Sequence, residues 1–119
     1  MHSLSHSLGG INPGLHHGTL NAVFLPAVIE FNAAAPSIQT ERRLQRMASA
    51  MGLDAAADIP AAIKSLNQRL GLPTGLAAMG VQLEWFDAIV SGAMADHCHK
   101  TNPRIASAED YQRLLRQSM

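Results

Sequence analysis

Apolar residues in this 119-residue chain return every three or four positions and nowhere alternate in the two-residue rhythm of a strand. That periodicity leaves the α-helix as the regular structure the chain can build. Leu20, Val23, Phe24, Ala27, Val28 and Phe31 trace one such stripe from His17 up to the connector "NAAAPS". Pro26 falls inside the stripe, and its missing N–H predicts a kink or a break there. Thr40 is placed to cap a helix carrying Leu44, Met47, Ala48 and Met51, with Gly52 as its stop. Asp58 and Pro60 open another, where Ile59, Ile63, Leu66 and Leu70 form one stripe before "GLPTG" closes it. "LAAMGV" reads as a short helical turn or a loop. From about Leu83 a further helix carries Phe86, Ile89, Val90, Ala93 and Met94, and Asn102-Pro103 enforces a stop beyond it. Ser107 to Asp110 resembles a capping box for a last helix with Tyr111, Leu114 and Leu115 inward. Residues 2 to 8 can form a short opening helix that Gly9-Gly10 ends. The expected fold class is all-α, a bundle of about six helices forming a single domain over residues 1–119.

Composition narrows the functions open to such a bundle. Hydrophobic residues make up 47% of the chain, which argues against disorder. Nine Lys and Arg balance nine Asp and Glu with no dense basic run, so neither nucleic acid nor an anionic membrane is an expected partner. "LGLPTGLAAMG" has a helix–turn–helix flavour but lacks an Arg/Lys-rich recognition helix. The longest apolar stretch, "AVFLPAVIEF", is far short of the roughly 20 residues of a membrane span. A single cysteine, Cys98, excludes an internal disulfide framework and fits a reducing, cytoplasmic setting. No charged segment precedes an apolar one at the start, so no secretory signal is expected.

The histidines are the unabsorbed feature. Four of the six lie in the opening "MHSLSHSLGGINPGLHHG", at positions 2, 6, 16 and 17. His2 and His6, four apart, share a helix face. His16 and His17 stand at the entrance to the next helix and can close on the same point. Neutral imidazoles suit Fe(II), Zn and similar divalent ions, and such a site usually needs a further ligand, often a carboxylate. The same spacing also serves ordinary polar or helix-end histidines, and spacing alone leaves both readings open.

The longer stretch "HSLSHSLGGINPGLHHGTLNAVFLPAVIEFN" resembles the signature of the iron-dependent (group III) alcohol dehydrogenases, whose members read approximately HxxxHxLGxxxxxPHGxxNAxxLPxVxxxN. "GLPTGLAAMGV" is similar to the family's "GLPxxLxxxGV", and "MADHCHKTNPRIASAEDYQRLL" to its closing "AxxDxxxxxNPRxxxxxDxxxLL". The resemblance runs from His2 to the end of the chain and implies the family's all-α C-terminal domain, which faces a nucleotide-binding domain across a metal-containing cleft. It implies His2 as one metal ligand. Aligning backwards from Gly18, Asn21 and Ala22 gives His17 as the second. His16 competes for that role, because the family's "HG" histidine usually falls ten residues after the middle one, and here His17 falls eleven after His6. The extra residue sits in the Gly/Pro loop, where insertion costs little.

The resemblance further implies that His6 lies close to nicotinamide and substrate, where it would relay a proton or shape the pocket. Cys98 resembles a position that approaches the cofactor, although a small buried hydrophobe would look the same in sequence. Asn102, Pro103 and Arg104 also match cleft positions, and the first two serve equally as a helix stop. The implied reaction is NAD(P)-linked oxidation of an alcohol or reduction of an aldehyde, with Fe(II), Zn or another divalent metal as Lewis acid. "HHG", where the maleylacetate reductase branch tends to have "HA", leans toward the alcohol dehydrogenases. The family's glycine-rich dinucleotide site, and the Asp and His that complete its metal site, have no counterpart here. Met1 accordingly looks like an internal methionine of a longer ancestor. The expectation is a C-terminal part that is inactive alone and needs a missing N-terminal half, or a homo-oligomer. The alternative is a stand-alone truncated helical remnant that binds metal or a partner without catalysis.

Overall fold

The computed structural model describes all residues from 1 to 119. It contains seven α-helices and no strand: α1 (His2–Ile11), α2 (His17–Asn32), α3 (Pro36–Thr40), α4 (Arg43–Ala50), α5 (Ile59–Arg69), α6 (Phe86–Ala95) and α7 (Ala108–Gln117). Tighter 3₁₀ turns form at Ala56–Asp58, Ala77–Met79, Leu83–Trp85 and His97–Thr101. No helix is long and apolar enough to cross a membrane.

The helix beyond the expected six is α3. Pro36 in its first turn has its φ already set for a helix, so the turn forms there and Thr40 ends it. Thr40 therefore does not cap α4, which is entered through Arg42 in a left-handed conformation, φ 51°. Gly52, at φ 71°, follows α4 as expected. Gly9 and Gly10 do not stop α1. Each weakens a helix by about 1 kcal/mol relative to Ala, but Leu4 and Leu8 are completely buried on the same helix. The stop comes at Asn12, whose extended backbone (φ −134°, ψ 98°) is what a residue preceding proline adopts.

Pro26 does not break α2, which runs from His17 to Asn32. A proline there leaves the carbonyl of Ala22, four residues earlier, without its helical donor. Asn67 of α5 supplies one: its Nδ2 donates to the Ala22 oxygen at 2.9 Å. The capping box at the start of α7 forms as expected, with the Asp110 N–H donating to Ser107 Oγ at 3.1 Å and the Ser107 N–H donating to Asp110 Oδ2 at 3.0 Å.

The main core gathers 18 buried residues from α1, α2, α6, α7 and the segments between them, with Leu4, Leu8, Leu20, Phe24, Ile89 and Leu115 wholly inside. A second cluster of four, Ile29, Ala48, Ile59 and Ile63, joins α2 to α4 and α5. The α5 stripe is only half used: Ile59 and Ile63 are buried, while Leu66 and Leu70 are 45% and 65% exposed. Met94 of α6 is also exposed. At the crossing of α1 and α6 the helices approach so closely that a Cβ on Gly92 would collide with Ser7 Oγ.

Candidate metal centre

The same α1–α6 and α1–α2 contacts that build the core fix one group of imidazoles. Leu4 and Leu8 point inward, so His2 and His6, on the opposite edge of α1, face outward together. His17 opens α2 beside them. The ring centroids stand 5.9 Å apart for His2–His6, 5.4 Å for His2–His17 and 5.1 Å for His6–His17. Asn21, one helical turn beyond His17, holds the arrangement from beneath. Its Nδ2 lies 2.8 Å from His17 Nε2, and its Oδ1 accepts from Ser5 Oγ on α1 at 2.8 Å. His16 does something else: it is the N-cap of α2, and its Nδ1 accepts the Thr19 N–H at 3.3 Å.

A second set of groups arrives from the turn after α6. Asp96 both ends α6 and caps the 3₁₀ turn, accepting the Cys98 N–H on Oδ1 at 2.8 Å. That bond aims Oδ2 at α1, where it meets His6 Nδ1 at 3.0 Å. His97 stacks near His6, with ring centroids 5.8 Å apart, and its Nε2 lies 3.4 Å from Cys98 Sγ. The sequence alone gives Asp96 and His97 no site role, since Asp96 enters only as one letter of the closing motif. The signal was an acid, two histidines and a cysteine in four consecutive residues.

The electrostatics favour a neutral His2 and an ionised Asp96. Desolvation is the main cause holding His2 below its usual range, and the nearby His17, the Met1 amino group and His6 act in the same direction. Burial pushes Asp96 upward, but the hydrogen bonds from the Cys98 N–H and from His6 outweigh it, and the carboxyl sits below its usual value. Desolvation, followed by the negative charge of Asp96, raises the Cys98 thiol.

Next to His2 opens a pocket of about 300 Å³ lined in part by Phe31, Cys98, Asn102 and Tyr111. Asn102 is tied into its wall. Its side-chain amide exchanges hydrogen bonds with Asn32 at 2.7 and 3.1 Å and also donates to the Arg104 carbonyl at 2.6 Å. Arg104 lies over the Phe31 ring at 4.0 Å from its centroid and donates to the Phe31 carbonyl at 3.1 Å. Asn102 and Arg104 thus close the end of α2. His99 is buried against Tyr111, Nδ1 to OH 2.9 Å, and belongs to the core. The chain therefore brings His2, His6 and His17 together, adds Asp96, His97 and Cys98 alongside, and sends His16 and His99 to structural work.

Comparison with known proteins agrees with this architecture. Residues 1–119 match the sequence profile described as the Fe-containing alcohol dehydrogenase family, C-terminal. The chain is 55% identical to a 4-hydroxybutyrate dehydrogenase of Cupriavidus necator, matching over its whole length and over 32% of that protein. It is 32% identical to an NAD-dependent methanol dehydrogenase of Bacillus methanolicus, again over all of this chain and 32% of that one. In three dimensions it superposes on a crystal structure of 1,3-propanediol oxidoreductase with a TM-score of 0.86 and 28% identity, covering 99% of this chain and 32% of the other. The chain thus spans about a third of the length of the relatives it matches.

Proposed function

Because the chain belongs to the Fe-containing alcohol dehydrogenase family and corresponds to its C-terminal helical domain, we propose that it is the metal-binding part of an NAD(P)-linked enzyme that oxidises a small alcohol or reduces an aldehyde. The observation that carries this reading is the convergence of His2, His6 and His17 on one outward face. His2 and His17 would hold Fe(II), or Zn in its place. Their chemistry fits: both are imidazoles, and His2 is held toward the neutral form that a metal requires. His17 is favoured over His16 because its ring joins the cluster, while His16 is committed to capping α2. The resemblance assigns the Asp and His that complete the metal shell to a preceding nucleotide-binding domain.

A metal so held supplies Lewis acidity at the substrate oxygen. The chain's own residues handle the proton. Asp96 accepts from His6 Nδ1–H, which makes Nε2 the basic atom of that ring and places it to take the proton released by an alcohol. Cys98 lines the neighbouring pocket and would approach the cofactor from there. No strand–glycine turn–helix unit occurs among these helices to hold a pyrophosphate, so nucleotide binding falls to the joined domain. The substrate class follows the relatives, which are named for 4-hydroxybutyrate, methanol and 1,3-propanediol. A reducing, cytoplasmic setting accords with the single free cysteine.

The test is a chimera in which this chain replaces the C-terminal third of the Cupriavidus necator 4-hydroxybutyrate dehydrogenase. We expect NAD-linked alcohol oxidation, its loss together with the metal in His2→Ala and in His17→Ala, and its retention in His16→Ala. A folded, soluble chimera with neither turnover nor bound metal overturns the reading. Metal retention without turnover would instead leave a helical unit that binds metal and catalyses nothing.

A further inference from the structure

We propose that His6, Asp96, His97 and Cys98 form a second metal site, distinct from the His2/His17 pair and suited to Zn(II). One donor atom from each of the four lies within 4.8 Å of every other. Around tetrahedral zinc, with bonds of about 2.0–2.3 Å, ligand atoms stand about 3.3–3.7 Å apart. Two of the observed separations lie at or just below the short end of that range, 3.0 Å from His6 Nδ1 to Asp96 Oδ2 and 3.4 Å from His97 Nε2 to Cys98 Sγ, and no pair exceeds 4.8 Å. The cluster therefore needs little movement to close on an ion. The side chain of His97 is 82% exposed, while Asp96 is fixed by its bond to the Cys98 N–H.

Three of the donors are consecutive in sequence and lie in one 3₁₀ turn, so a single local segment presents them, and α1 adds the fourth. One thiolate, two imidazoles and a carboxylate select a borderline-soft ion such as zinc over magnesium or calcium, which take oxygen donors. Binding is balanced by proton movement. The Cys98 thiol gives its proton to solvent, and the His6 proton moves from Nδ1 to Nε2 so that Nδ1 can bind the metal. On the reading of His6 given above, such an ion removes that ring from proton transfer, which makes this an inhibitory zinc site in the joined enzyme.

The test uses Co(II) as a spectroscopic substitute for zinc in the purified 119-residue chain, with helix content followed by circular dichroism. The thiolate donor predicts a thiolate-to-cobalt charge-transfer band in the near ultraviolet and visible absorption of the intensity typical of a tetrahedral ion. Zinc should displace both. Cys98→Ser should abolish the charge-transfer band. His97→Ala, at an exposed position, should weaken cobalt binding at least about tenfold, since even outer-shell partners are worth about 10- to 100-fold. The double variant His2→Ala/His17→Ala should keep the band. A folded wild-type chain without the band overturns the proposal. So does a band that survives His97→Ala unchanged but vanishes in the His2/His17 double variant, because Cys98 would then be completing the first site. The readout is a spectrum, so its failure is separate from any failure of the dehydrogenase reading.

Discussion

The histidine-bearing end of the molecule and the arm formed by α3, α4 and α5 are both helical, yet they are held in different ways. α1 and α6 each bury four residues, of which Leu4 and Leu8 of α1 and all four of α6 belong to the main core. α3 buries none and α4 only Ala48. Polar side chains follow the same division. Ser5–Asn21, His6–Asp96 and Asn32–Asn102 bridge elements distant in sequence at the histidine end. The arm has Asn67 reaching Ala22, and the ion pair between Arg43 and Glu41 is local and half-exposed. Exposed pairs of that kind contribute little. Rigidity is invested unequally: the histidines and Asp96, drawn from two helices and a turn, sit over the larger core, and the arm rests on a cluster of four.

The largest expected effect tests that division directly. Phe24 is fully buried in the main core, and Phe24→Ala should destabilise the chain by about 3–5 kcal/mol. Hydrogen exchange should then accelerate in every helix. Ile63→Ala, in the four-residue cluster, should cost about 2–3 kcal/mol and accelerate exchange in α4 and α5 well before α1. Equal acceleration of α1 amides by both variants would break the comparison and make the molecule one cooperative unit.

Two smaller changes sharpen it. Gly92→Ala places a methyl group against Ser7, and overpacking of this kind costs about 1–3 kcal/mol. It should also push α1 off α6 and spread His2 and His6 away from His17, so metal affinity should fall along with the melting temperature. Unchanged metal binding would show that α1 can shift without moving its imidazoles. Asn67→Ala leaves the Ala22 carbonyl without a partner. A cost of about 1–2 kcal/mol is expected, seen as faster exchange around Pro26 and in α5, with metal binding preserved.

Much of this was legible in the sequence, and the failures have physical causes. Apolar periodicity located α2, α5, α6 and α7 because each carries an apolar stripe that is buried in whole or in part. It overstated Leu66 and Leu70, since a pattern reports which face is apolar and not whether anything covers it. Proline and glycine misled wherever a distant group compensated. Pro26 reads as a break until Asn67, 41 residues later, supplies the missing donor, and the two glycines of α1 read as a stop although Leu4 and Leu8 of the same helix are wholly buried. The family resemblance, not the spacing, pointed to His2, His6 and His17, and their proximity in the fold accords with it. Asp96 and His97 were missed because nothing in a linear reading places position 96 within a hydrogen bond of position 6.

The smallest expected effect is a pH dependence that belongs to the histidine end alone. Burial, then His17, the Met1 amino group and His6, hold the folded-state pKa of His2 below its usual 6.5, with Asp96 opposing. A base whose pKa is lowered by folding binds fewer protons folded than unfolded. Stability is therefore complete above the usual value and declines as pH falls from there toward the folded one. Asp96 acts in the same direction at lower pH. Held below its usual 3.8, it stabilises the fold above that value and loses the contribution as pH falls through its folded pKa. Melting temperature should thus decline modestly from about pH 7 to about pH 5, and His2→Gln should flatten the decline. Exchange in α4 and α5, which carry no histidine, should not follow it. Metal binding should fall more steeply over the same interval, because protons compete for the imidazoles directly. A His2→Gln chain that keeps the full wild-type slope would remove His2 as the cause, and the separation between the two regions would then rest on packing alone.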